Sequence, residues 1–230
     1  MSSVRENYAK IIQDIEQTCR SCGRPVEDIH LIAVSKRKSV DTIEQGIDAG
    51  AGHLGENYIQ EAVEKIDIIG KDAACWHFIG HLQSNKAKFA VPYFEFIHTV
   101  DSFKLAKEIN KQAAKIDKTQ KILVQVNISG ETTKSGTTEE EAIELVRQIA
   151  SLDHVRLTGL MCMPPFFSDP ENARPFFRQL AALKSRINAL AIENVELKHL
   201  SMGMSNDFRV AIEEGATMVR VGTSIFGERD

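Results

Sequence analysis

Eight short apolar runs alternate with segments of helical period along this chain, and that alternation leaves few folds open. The runs are Ile29 to Lys36, His53 to Asn57, Trp76 to Gly80, Phe96 to Val100, Lys121 to Ser129, Val155 to Met163, Glu196 to Met204 and Thr217 to Thr223. Between them, Asp41 to Ala49, Tyr58 to Ile66, Ser102 to Ile116, Glu139 to Ser151, Glu171 to Ala189 and Asn206 to Glu214 read as helices. Val4 to Thr18 precedes the first run with an apolar face at helical spacing. Thr137 and Thr138 stand before three glutamates, a cap followed by acidic residues that suit a helix start. Strand–helix alternation implies parallel pairing through right-handed crossovers. A doubly wound open sheet and a closed barrel both meet that condition. The count of eight and the even spacing favour an α/β fold with one (β/α)8 TIM-type barrel. No Gly/Ser-rich or Pro-rich linker interrupts it, so residues 1–230 read as a single domain with an N-terminal helix.

Composition narrows function by exclusion. The 230 residues are 43% hydrophobic and 26% charged, with a net charge of −4, which gives no electrostatic footing for nucleic acid or an anionic membrane. The start of the sequence shows no signal-peptide stretch, and no run is long enough to span a bilayer, so a cytoplasmic protein is expected. Cys19 and Cys22 form a C-x-x-C, but Cys75 and Cys162 do not supply a second pair. Reduced thiols and no metal are the expectation.

In a barrel of this type, polar residues at the carboxyl ends of strands are the functional candidates. Lys36 ends the first run, and alternation puts it on the face of Ile32 and Val34. An amine at the mouth of an apolar core has its charge disfavoured and becomes a nucleophile toward aldehydes, although most strand-end lysines simply reach into water. Ser201 to Asp207 and Arg220 to Ser224 close the seventh and eighth runs with Gly203, Gly222 and several hydroxyls. They suit a phosphate, which such barrels hold after these strands, or they are two turns packed tightly with small residues. Arg220 shares a face with Met218 and Gly222 and needs a partner there. That partner is either Glu56, in a structural pair, or a ligand heteroatom held between Lys36 and the phosphate loops. An amine, an enclosed arginine and a phosphate cradle fit pyridoxal 5′-phosphate (PLP), an aldehyde with a ring nitrogen and a phosphate.

Six ordered motifs then carry a resemblance. They are Ala33-Val34-Ser35-Lys36, Gly55-Glu56-Asn57-Tyr58, His77 to Lys86, Lys134-Ser135-Gly136, Ser201 to Asp207 and Val219 to Gly227. Together they resemble the pyridoxal phosphate homeostasis (YggS/PROSC) family over nearly the whole chain. The resemblance implies a barrel like the amino-terminal domain of alanine racemase, fold type III of PLP proteins. It implies a covalent Schiff base between PLP and Lys36, a phosphate held by Ser201, Gly222 and Thr223, Arg220 facing the pyridine nitrogen, and Asn57 close by. His77 and Trp76 remain structural, with His77 a hydrogen-bonded core histidine. The stretch Phe166 to Phe177 starts apolar and loop-like, as a lid or a partner surface.

Two functions compete. A carrier would hold PLP for vitamin B6 homeostasis and pass it to apo-enzymes that depend on it. A small racemase-like enzyme would transform amino acids. Arginine at the ring nitrogen leaves the cofactor a poor electron sink, and racemases of this fold take a second acid–base group from a carboxyl-terminal domain. The sequence ends at Asp230, so no such domain is expected, and a monomeric carrier without turnover is the reading. A Schiff-base aldolase using Glu56 as acid–base group is the remote third.

Overall fold

The structure, a computed structural model, describes residues 3–131 and 135–227; Lys134 of the fourth motif lies outside them. Eight parallel strands close into a barrel in sequence order, with the last paired to the first. They are β1 (His30–Val34), β2 (His53–Glu56), β3 (Cys75–Phe78), β4 (Phe96–Val100), β5 (Gln120–Gln125), β6 (Val155–Met161), β7 (His199–Met204) and β8 (Met218–Val221). Around them run α1 (Val4–Cys22), α2 (Val40–Asp48), α3 (Ile59–Ile69), α4 (Ala87–Ala90), α5 (Phe103–Ala114), α6 (Glu139–Ile149), α7 (Arg174–Ala189), α8 (Phe208–Glu213) and α9 (Thr223–Phe226). The closed barrel settles the choice left open between it and an open sheet.

Local chemistry sets the helix starts. Ser3 and Glu6 cap α1 reciprocally, Thr138 and Glu141 do the same for α6, and Ser39 and Ser102 accept from the third residue of α2 and α5. The main core lies between barrel and helices, with Tyr8, Ile11, Ile15 and Cys19 as the buried face of α1. The barrel interior holds a far smaller apolar cluster of Ile32, Phe96, Leu123, Met161 and Met218. Polar side chains occupy much of the rest.

Several boundaries differ from the sequence reading. β1 ends at Val34, because Lys38 N–H returns to the Ser35 carbonyl at 3.1 Å and Arg37 takes a φ of 59°. Lys36 therefore sits in a tight turn just past the strand. The helix expected from Glu171 is present: a 3₁₀ turn, Pro170–Ala173, leads into α7, and Phe167, in the loop-like start of the Phe166 to Phe177 stretch, stacks on Phe176. Phe166 is exposed. Among the described residues, no helix is long and apolar enough to cross a membrane.

Candidate cofactor-binding site

The carboxyl ends of β1, β2 and β8 bring Lys36, Asn57, Gly222 and Thr223 to one end of the barrel. Lys36 is half-buried. Directly beneath its turn lies an ionic network. Ser35 donates its hydroxyl to Glu56 Oε1 at 2.6 Å, and Lys65 donates to the same oxygen at 2.9 Å, to Ser35 O at 2.9 Å and to Glu61 at 2.5 Å. Glu56 is 0% exposed. Burial raises its carboxyl pKa, while the Lys65 charge and the hydrogen bonds from Ser35 and Lys65 pull it back. Two buried acceptors at this end of β2, Glu56 Oε2 and Asn57 Oδ1, have no hydrogen-bond partner among the described residues.

Arg220 enters the interior from β8. It pairs in register with Ile32, so it lies deeper in the barrel than Lys36 rather than level with it. The guanidinium is 4% exposed and donates to Ser201 Oγ at 2.6 Å and to the Cys162 carbonyl at 3.0 Å. It makes no ion pair among the described residues, and desolvation lowers its pKa despite the more distant Asp207. The alternative pairing with Glu56 is not formed: Glu56 belongs to Lys65. A buried cation resting on two neutral oxygens leaves donor capacity unspent, since a guanidinium carries five N–H groups.

Ser201 does not fit the phosphate role expected of it. Its hydroxyl is fully enclosed and bonds both Arg220 and His98 Nδ1, the latter at 2.9 Å, so it supports Arg220 from below. Ser205, half-buried where β7 gives way to its loop, and the exposed Thr223 and Ser224 are the hydroxyls open at the mouth. The glycines are explained by packing. A Cβ on Gly203, at φ 89°, would meet Ala211 Cβ at 2.6 Å, and one on Gly222 would meet Val34 Cβ at 3.2 Å.

His77 is the hydrogen-bonded core histidine expected, but it belongs to a ladder the sequence reading missed. His53 Nδ1 lies 3.0 Å from His77 Nε2, His77 Nδ1 lies 2.9 Å from His98 Nε2, and His98 continues to Ser201 and Arg220. His30 and His199 add their rings beside it. Burial lowers the pKa of all five imidazoles, to about 4 for His53 and His199. The available signal was placement: five of the seven histidines fall within predicted strands.

The family model for the alanine racemase N-terminal domain matches residues 7–230. A pyridoxal phosphate homeostasis protein from Vibrio alginolyticus is 43% identical over 234 residues, covering 100% of this chain and 99% of the relative. The chain belongs to that family. PipY of Synechococcus elongatus, solved with PLP bound, superposes with a TM-score of 0.84 at 32% identity, covering 98% of this chain and 100% of PipY. An alanine racemase from Clostridium difficile shares the fold, with a TM-score of 0.72 at 15% identity; the chain spans 57% of that protein.

Proposed function

We propose that this chain binds PLP at the mouth of the barrel, through a Schiff base on Lys36, and serves as a carrier for apo-enzymes rather than as a catalyst. The observation that carries the reading is Arg220: a buried guanidinium with no carboxylate partner among the described residues calls for an acceptor from a ligand. When bound, PLP supplies an aldehyde for the lysine and a conjugated ring able to draw electrons. Arg220 faces the ring nitrogen and cannot readily yield a proton to it, which keeps that electron sink weak. Thr223, the Gly222 backbone and Ser205 hold the phosphate, Asn57 Oδ1 lies against the cofactor, and Ser201 positions Arg220. The homeostasis name of the full-length relatives and the PLP in PipY support the same assignment.

The test has three parts. The PLP-loaded protein should absorb in the visible, and borohydride should fix the label on Lys36. Cofactor transfer to an apo-enzyme, compared with free PLP at equal concentration, measures delivery. Incubation with single-enantiomer amino acids measures turnover. A label on another lysine overturns the site, and sustained racemization overturns the carrier role.

A further inference from the structure

The amino-terminal end of the barrel holds a second cluster, opposite the mouth. His53 opens β2, Cys75 opens β3 and pairs with it in register, and His77 follows two residues later. Each offers one donor atom, and the three atoms lie within 4.8 Å of one another. We propose that His53, Cys75 and His77 form a binding site for a divalent transition metal of the zinc class.

The donor set fits that class. One thiolate and two imidazoles are ligands that zinc and cobalt accept in tetrahedral sites. With metal–nitrogen bonds of about 2.0–2.1 Å, two tetrahedral nitrogens stand roughly 3.3 Å apart. His53 Nδ1 and His77 Nε2 already face each other at 3.0 Å, so a small parting of the rings admits the ion. On binding, the proton shared between the rings moves to a far ring nitrogen, and the thiol proton leaves to solvent.

The surroundings supply what a metal site needs. His77 Nδ1 is held by His98 at 2.9 Å, the outer partner that orients a ligating imidazole. The His30 ring, with its centroid 4.8 Å from that of His53, is the nearest candidate for a fourth ligand. A crevice of about 240 Å³ beside α1, lined by Tyr8, Ile12, His30, Gly50 and His53 among others, gives an entry path. The imidazole ladder alone would explain the His53–His77 contact but leaves Cys75 idle, since its thiol makes no hydrogen bond among the described residues. These ligands owe nothing to Cys19 and Cys22, which lie on α1.

The experiment is a Co²⁺ titration of the full chain, stripped of PLP and of metal. Binding of one equivalent with a thiolate-to-cobalt charge-transfer band is expected. Cys75→Ser should lose the band, His53→Ala should weaken binding roughly tenfold or more, and Cys22→Ser should change nothing. The proposal is overturned if the wild type shows no band, if the band survives Cys75→Ser, or if it vanishes with Cys22→Ser. Should Cys75→Ser not fold, X-ray absorption of the zinc-loaded wild type decides: one sulfur in the shell supports the site, and an all-nitrogen/oxygen shell rejects it.

Discussion

Lys65→Met strands a carboxylate that the fold has buried completely. Lys65 gives hydrogen bonds to Glu56, Glu61 and the Ser35 carbonyl, and Glu56 is 0% exposed. Removing one partner of a buried ion pair costs roughly 3–5 kcal/mol, because the other charge stays behind unpaired. For a chain of this size each kcal/mol moves the melting temperature by about 2–4 °C, so a drop of roughly 6–20 °C is expected. Glu56→Gln combined with Lys65→Met leaves two neutral groups and keeps the bond from Ser35. That double variant should return to within roughly 1–2 kcal/mol of wild type. Urea unfolding followed by the fluorescence of Trp76, the single tryptophan and fully buried, reads both. The pH dependence gives a second check. Burial raises the Glu56 pKa and the Lys65 charge opposes that rise, so losing Lys65 raises it further. A protonated Glu56 is neutral, so the deficit of the single variant should shrink as pH falls, by at most about 1.4 kcal/mol per unit. A single variant as stable as the double one at neutral pH would refute the account of this network as a paired buried charge.

Other substitutions separate the remaining roles. Lys36→Ala should abolish the visible PLP band while leaving the thermal transition within about 1 kcal/mol of wild type; a surviving band points to another lysine. Arg220→Ala should weaken PLP binding less than Lys36→Ala in a spectroscopic titration, since no covalent bond is lost, and a larger loss contradicts that order. Gly203→Ala pushes a Cβ toward Ala211 at φ 89° and should lower stability by about 1–3 kcal/mol in a melt; a neutral result removes the packing account. Acid should destabilise the fold through its imidazoles. Their folded pKa values lie below the unfolded value of about 6.5, so this stability is full above that pH and drains as pH falls toward 4. The two fully enclosed rings, His77 and His98, alone give a slope of roughly 2–3 kcal/mol per pH unit near pH 5.5. A urea midpoint unchanged between pH 7.5 and 5.5, with chelator present, would reject it.

The barrel was legible because strand and helix periods are properties of neighbouring residues. Phe96–Val100 matches its predicted bounds, and the others drift by a few residues where ladder bonds give way to turns. The turn that carries Lys36 was not legible: it depends on Arg37 accepting a left-handed backbone, which the residue type does not announce. The site was half legible. Lys36 and Arg220 stand out as charges on apolar runs. The partners of Arg220 and Glu56 did not stand out, because Ser201, Cys162 and Lys65 meet them from β7, from just past β6 and from α3. Ser201 and Ser205 look equivalent in sequence. Only depth in the barrel separates the enclosed hydroxyl from the one at the mouth.

Polar groups inside a barrel are tolerated when each finds a partner. Here the ladder from His53 to Arg220 satisfies its members one after another across the interior. Three buried side-chain acceptors are left over among the described residues, and they are not scattered evenly. Gln120 Oε1 lies at the start of β5, at the end of the barrel away from the mouth, whereas Glu56 Oε2 and Asn57 Oδ1 are consecutive at the end of β2. Unpaired buried acceptors cost about 1–3 kcal/mol each, a deficit that packing alone gives no reason to place at two consecutive residues of one strand end. Glu56 is already bonded to Ser35 and to Lys65 of α3 on the helix side of β2, so on the proposed PLP reading Asn57 Oδ1 is the acceptor that a ligand would complete.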